Sequence, residues 1–200
     1  MTRRYHHGDL RRALVASGLE ILRESGVDAL TLRACAARAG VSHSAPRNHF
    51  DGLTGLVAAI RAEGFRRHSA AMRAGMAAEP QARRHLGALR GYVGFARDNP
   101  DLYRLMFSRP MPGFSAELDA AADASFAVLI EISKGLDWPQ ADKVPGNANT
   151  WMMLWSFAHG IADLSINGQF GKIDAAIGFL PDLETVFPGF GYTQAPNPKA

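Results

Sequence analysis

The stretch Thr31–Phe50, TLRACAARAGVSHSAPRNHF, decides the fold of this 200-residue chain. Thr31 is a good helix N-cap, because its hydroxyl can accept a hydrogen bond from a backbone N–H one turn later. Gly40 ends the first helix, since glycine adopts the left-handed conformation after a helix without a Cβ penalty. A second helix is predicted over 42–49, with Ser42 as its cap. The apolar positions of the first helix recur at helical spacing and indicate one buried face: Leu32, Cys35, Ala36 and Ala39.

Two short helices joined by a glycine turn are typical of a helix-turn-helix. In that motif the second helix lies in the DNA major groove, and its N-terminal residues touch base edges. Arg47 can bond guanine O6 and N7 together, and Asn48 can do the same for adenine N6 and N7. His49 suits a phosphate. His43 and Ser44 are also expected to face outward. A helical hairpin with a solvated polar face is the alternative.

The charge of the chain is unevenly distributed along it. Residues 1–75 hold 12 Lys and Arg against 6 Asp and Glu, whereas residues 76–200 hold 10 against 13. Five of the seven histidines lie within residues 1–68. A basic front and a mildly acidic remainder favour DNA binding at one end, although ordinary variation could give the same difference.

Composition excludes several classes of protein. The 33 alanines outnumber the 22 Val, Ile and Thr residues together, which favours helix over sheet. The sequence contains no run of about 18 apolar residues, so no membrane span is expected. The N-terminus lacks the apolar core of a secretory signal. One cysteine cannot form an intramolecular disulfide. The chain is therefore expected to be cytoplasmic, without membrane partners.

Breaks in the apolar pattern predict the order of the helices. A basic arm over residues 1–7 precedes a first helix, capped by Asp9 and ending near Ser25. Prolines and glycines predict loops over 108–115 and 138–147. After the helix-turn-helix, further helices are predicted over 53–76, 80–98, 100–107, 116–136, 149–167 and 173–187.

The segment YHHGDLRRALVASGLEILRESGVDALTLRACAARAGVSHSAPRNHF resembles the N-terminal domain of TetR/AcrR-type regulators. The resemblance covers residues 5–68 and implies a three-helix DNA-binding domain. It also implies that an all-helical ligand-binding and dimerisation domain follows, so the expected fold class is all-α. The predicted DNA-binding residues are Thr31, Arg33, Ser42, His43, Ser44, Ala45, Arg47, Asn48 and His49.

Two positions depart from the family pattern. The family usually has Tyr, which meets a phosphate, where this chain has Arg47. Arg47 could make the same contact with its charge. The family also usually has Lys at the start of its fourth helix, where this chain has Leu53. One phosphate contact is therefore expected to be missing.

The second informative stretch is WMMLWSFAHGIADLSING, residues 151–168. It is apolar on nearly all sides, so we expect it to be buried all round. Trp155, His159 and Gly160 resemble the motif of the WHG-type C-terminal domain found in a subgroup of TetR-type regulators, over residues 82–187. That resemblance implies a homodimer formed by the last two helices of each subunit, and an internal ligand pocket. The candidate pocket residues, for which core packing is the alternative, are Phe65, Phe95, Tyr103, Phe107, Phe126, Met152, Trp155 and His159.

Other chemistry has weaker support in the sequence. Cys35 could be a redox sensor, but a small core residue is the better interpretation. His159 and Asp163 have the spacing of a metal pair on one helix, yet a third ligand is not evident, so a buried, hydrogen-bonded histidine is preferred. The sequence has no GxSxG, P-loop, dinucleotide-binding or HExxH motif. We therefore expect neither an enzyme nor a cofactor.

These patterns together predict a dimeric repressor that binds a double-stranded DNA operator and is released by a small-molecule effector. One alternative is a helical small-molecule-binding protein that does not regulate DNA. Another is a helical enzyme that uses His159. The sequence leaves the operator, the effector and the choice between repressor and activator open.

Overall fold

The computed structural model describes residues 7–108, 115–134, 136 and 148–169. Seven α-helices and three short 3-10 helices form the regular structure of these residues. The expected all-α fold class is thus confirmed. The 3-10 helices are Val27–Ala29, Ala45–Asn48 and Gln81–Arg83, and the α-helices are α1 His7–Ser25, α2 Leu32–Arg38, α3 Gly52–Ala77, α4 Arg84–Asp98, α5 Pro100–Phe107, α6 Ala116–Ser133 and α7 Ala148–Ile166.

Most predicted boundaries lie within a few residues of the observed ones. The helix α5 has the predicted limits, because Asn99 precedes a proline at its first position. The cap predicted at Asp9 is wrong, since α1 already begins at His7. The helix α6 ends at Ser133, three residues before the predicted end. The loop over 138–147, the helix over 173–187 and residues 1–6 of the basic arm lie outside the described residues, as does most of the loop over 108–115.

The chain divides into two compact units. As far as their residues are described, the first takes Met1–Arg66 and Asn99–Ala122, and the second takes Arg67–Asp98 and Asp123–Ala200. The domain limits expected from the family resemblance, 5–68 and 82–187, remain a prediction. The helix α1 packs on α2 and α5 in the first unit, around side chains with almost no exposure, such as Leu14, Leu22, Leu56 and Ile60.

The helix α4 packs against α7 in the second unit. The backbones of α3 and α4 approach closely at glycine. A Cβ atom on Gly75 would overlap the carbonyl oxygen of Gly87, and a Cβ atom on Gly87 would overlap that of Gly75. One turn further along α4, a Cβ atom on Gly91 would overlap the carbonyl oxygen of Ala71. Larger side chains at these positions are therefore incompatible with the observed crossing.

The expectation that residues 151–168 are buried all round is wrong for the single chain. Leu154, Ala158 and Ala162 are buried, whereas Met152, Met153 and Leu164 are 51%, 40% and 41% exposed. The helix α7 thus has a buried side and an exposed side, and apolar side chains occupy both of them. None of the described helices has an apolar stretch long enough to cross a membrane.

Candidate functional site

The first half of the helix-turn-helix has the predicted local structure. The Thr31 hydroxyl accepts a hydrogen bond from the backbone N–H of Ala34 at 3.0 Å, which caps α2. Cys35 and Ala36 are fully buried, and burial raises the pKa of the Cys35 thiol although Arg38 acts in the opposite direction. Gly40 has a φ of 68°, as its position after the helix requires.

The second helix is shorter than predicted. In place of an α-helix over 42–49, the structure has the single 3-10 helix Ala45–Asn48, which we call the recognition turn. Pro46 accounts for the difference, because it has no N–H to donate and disfavours the α conformation of Ala45. Ser42 does not cap this element: its hydroxyl lies 3.2 Å from the hydroxyl of Ser44. The side chain of Pro46 is buried and anchors the turn.

The predicted DNA-binding residues lie at the surface of the first unit. Ala45 and His49 are half-buried, and the others are exposed: Thr31, Arg33, Ser42, His43, Ser44, Arg47 and Asn48. The residues before and after the buried Pro46 are therefore presented together to solvent. Their contact with DNA remains a prediction.

The arginines of this region differ in what they bind. Arg38 forms ion pairs with Glu24 at 2.6 Å and Glu20 at 3.5 Å. Its hydrogen bond to Glu24 lowers the pKa of that carboxyl. Within the part of the chain that the structure describes, Arg33 and Arg47 form no ion pair. Their guanidinium groups are thus available to an external anion, whereas that of Arg38 joins α2 to α1.

The structure distributes the eight predicted pocket residues between the two units. Three of them form an aromatic cluster in the first unit. The ring centroid of Phe107 lies 5.5 Å from that of Phe65 and 4.8 Å from that of Tyr103. Tyr103 is buried, whereas Phe107 is half-buried. This cluster joins α3 to α5.

The other five residues belong to the second unit. The Phe126 ring lies 6.2 Å from the ring of Trp155, which is in turn 6.0 Å from the ring of His159. All three side chains are half-buried. Phe95 is buried on α4, while Met152 is half exposed on α7. A ligand role for either set remains a prediction.

His159 is tied to a neighbouring helix. Its Nδ1 atom lies 3.0 Å from the hydroxyl of Tyr92. Burial lowers the pKa of His159, against the opposing effect of Asp163. Among the described residues, no group of three His, Cys, Asp or Glu side chains is placed to hold a metal ion. The preferred interpretation of His159 as a hydrogen-bonded histidine agrees with this geometry.

Sequence reasoning missed His68, a deeply buried imidazole among the described residues of the second unit. It is 1% exposed, and its Nδ1 atom lies 2.8 Å from the hydroxyl of Ser125. Its ring packs edge-on against Tyr92, with centroids 4.3 Å apart. Burial, with a smaller effect of His159, lowers the pKa of His68 to about 3, so the imidazole is neutral at pH 7. Its position on α3, four residues before the buried Met72, is the signal that could have identified it.

Comparison with known proteins places this arrangement in a family. Residues 86–179 match the family model described as Tetracyclin repressor-like, C-terminal domain. An uncharacterized HTH-type transcriptional regulator of Mycobacterium tuberculosis is 29% identical over 169 residues, which cover 82% of this chain and 73% of that protein. These two matches support a TetR-type transcriptional regulator.

Two solved structures share the fold of this chain. A protein of unknown function from Rhodococcus sp. RHA1 is similar with a TM-score of 0.73 and 30% identity, over 94% of this chain and 95% of that one. A candidate regulatory protein, SCO4313, is similar with a TM-score of 0.65 and 22% identity, over 98% of this chain and 94% of that one. The second likeness concerns the fold alone.

Proposed function

We propose that this TetR-type regulator is a dimeric repressor that binds a double-stranded DNA operator and leaves it when a small molecule binds. The observation that carries the proposal is the recognition turn, which a buried proline anchors beneath a row of exposed polar and basic side chains. The match of residues 86–179 to a family described as Tetracyclin repressor-like, C-terminal domain, supports the repressor assignment. Such a protein acts where the DNA lies, so we also propose a cytoplasmic location and no catalytic activity.

The mechanism follows from two-fold symmetry and ligand linkage. A symmetric dimer would present two recognition turns to adjacent major grooves, about 34–36 Å apart or a multiple of that, on a palindromic site. A small molecule that binds better to a dimer with a different spacing would shift the population away from the DNA-bound form. The half-buried aromatic side chains of the second unit, Phe126, Trp155 and His159, are the proposed ligand contacts.

The direct test is binding to DNA, measured by fluorescence anisotropy. The probe is duplex DNA flanking the chain's own gene, with scrambled duplexes beside it at two salt concentrations. We expect selective binding whose log K falls by about 0.9 per phosphate contact for each tenfold rise in salt. Equal binding to every genomic and scrambled duplex at both salt concentrations would contradict the operator function.

Arg47→Ala should weaken operator binding by about tenfold to hundredfold, because a bidentate contact to guanine contributes about 1–3 kcal/mol. The thermal midpoint should stay unchanged, since Arg47 is exposed and forms no ion pair among the described residues. Arg97→Ala is the matched control, because Arg97 is an exposed arginine of the second unit. Equal affinity of the two variants would remove Arg47 from the set of DNA contacts.

The exposed apolar side of α7 is the proposed dimer surface. Met152→Glu should weaken dimerisation by about tenfold or more, because it would bury an unpaired charge in an apolar interface. Val27→Glu is the control, since Val27 is 54% exposed in the first unit. Sedimentation velocity over a range of concentrations measures both variants. A Met152→Glu protein that dimerises as tightly as the wild type would place the interface elsewhere.

A further inference from the structure

Glu117, in the first turn of α6, joins three helices of the first unit. Both terminal nitrogens of Arg11 in α1 face the Glu117 carboxylate end-on: Nη2 donates to Oε2, and Nη1 lies 3.5 Å from Oε1. Arg66 of α3 also donates to Oε1. Bidentate pairing of a guanidinium with a carboxylate is among the stronger ionic contacts, because two hydrogen bonds fix its geometry. The three side chains are only partly exposed.

The carboxylate of Glu117 is charged at neutral pH. Its burial alone would raise the pKa, but the hydrogen bonds and charges of Arg11 and Arg66 outweigh that effect and lower it. Arg66 has a second carboxylate partner, Glu63, at 3.2 Å. Among the described residues, Glu117 is the carboxylate that pairs with Arg11. Loss of the charge on Glu117 therefore affects Arg11 more than Arg66.

Arg11 also contacts the end of the helix-turn-helix. Its guanidinium carbon lies 5.2 Å from the ring centroid of Phe50, which is within the range of a cation–π contact. Phe50 is 7% exposed. The N–H of Phe50 donates to the carbonyl oxygen of Pro46 at 3.0 Å, and Pro46 is the buried anchor of the recognition turn. A continuous series of contacts thus leads from Glu117 through Arg11 and Phe50 to that turn.

We propose that Glu117 is a positioning residue for DNA binding: it holds Arg11 against Phe50 and so fixes the recognition turn, without touching DNA itself. The proposal rests on the DNA-binding function proposed above, but it concerns a residue on α6, outside the helix-turn-helix. It also gives α6 a role in fixing the recognition turn, in addition to its packing in the core.

The test variant is Glu117→Gln, which removes the charge and keeps the shape of the side chain. The same helix supplies a matched control in Glu131. Its carboxylate also receives two arginines, Arg73 at 3.0 Å and Arg84 at 3.6 Å, but in the second unit. Glu131→Gln therefore removes a similar bridge that has no contact with Phe50 among the described residues.

Two measurements distinguish positioning from a general loss of stability. Amide hydrogen exchange of peptides covering residues 42–52 should be about fivefold faster in Glu117→Gln and unchanged in Glu131→Gln. Affinity for the duplex that the wild-type protein binds selectively should fall by about tenfold in Glu117→Gln and stay unchanged in Glu131→Gln. Arg11→Gln should have the same two effects, and the double variant Arg11→Gln with Glu117→Gln should be no weaker than either single one.

Each other outcome overturns the proposal. Unchanged exchange over residues 42–52 in Glu117→Gln would show that the bridge does not fix the turn. Faster exchange with unchanged affinity would show that fixing the turn does not matter for DNA. If the losses of DNA affinity added together in the double variant, Glu117 and Arg11 would act independently of each other. A wild-type chain without selective DNA binding would refute the proposed function, while the exchange data alone would still decide whether Glu117 fixes the turn.

Discussion

Gly75→Ala should lower the free energy of unfolding by about 3 kcal/mol or more, a large part of the stability of a small domain. The new Cβ atom would overlap the carbonyl oxygen of Gly87, which is backbone and cannot rotate away. The helices α3 and α4 would have to separate, and the buried Met72 and Leu89 would lose contacts. Chemical denaturation followed by circular dichroism measures the loss.

The matched control is Gly94→Ala, also within a helix. Among the described residues, no atom outside its own helix lies within 4 Å of the Cβ position of Gly94. Alanine there should stabilise the protein by about 0.5–1 kcal/mol, because glycine is the weaker helix former. If Gly75→Ala and Gly94→Ala change the unfolding midpoint in the same direction, the close crossing of α3 and α4 is not essential for the fold.

His68 should make the second unit sensitive to acid. Its pKa is about 3 in the folded chain, against an ordinary value of 6.5. Between these values the unfolded chain holds a proton on this residue that the folded chain does not. The stabilisation is therefore fully present above about pH 6.5 and is lost as the pH falls towards 3. The loss amounts to at most about 1.4 kcal/mol for each pH unit.

Burial also lowers the pKa values of His159 and His85, so these residues contribute to the pH dependence of stability as well. Two variants distinguish the contribution of His68 from theirs. His68→Gln removes the titrating group, so the slope of stability against pH should fall between about pH 4.5 and 6.5. Ser125→Ala keeps the imidazole and should keep the slope, although it removes the 2.8 Å hydrogen bond. Urea denaturation at three pH values compares the slopes. Equal slopes for wild type and His68→Gln would show that His68 is not the acid-sensitive group.

Local sequence signals predicted local structure well. The hydroxyl of Thr31, the glycine at position 40 and the Asn99–Pro100 pair each act within one turn of the chain, and the structure has the caps and helix ends that they predict. The TetR-type resemblance agrees with the family model and with the HTH-type relative. Such short-range contacts can be predicted because the interacting groups are adjacent in the sequence.

The errors arose where several effects compete or where partners are far apart. The helix expected over 42–49 became a 3-10 turn because Pro46 weakens the α conformation, although the surrounding polar pattern suits a helix. The apolar sequence of α7 did not reveal that Met152 stays exposed in the single chain. The pairs His68–Ser125 and Arg11–Glu117 join residues 57 and 106 positions apart, which no periodicity indicates.

The buried proline of the recognition turn has a consequence for engineering new operator preferences. Pro46 holds the backbone through its own restricted φ and its packing, so the turn does not depend on the helix propensity of its neighbours. The exposed positions 42–44, 47 and 48 can then vary with little effect on folding. A combinatorial library randomised at those five positions, with Pro46 kept, would consist mostly of folded proteins. Selection from it would sample DNA preference almost independently of stability.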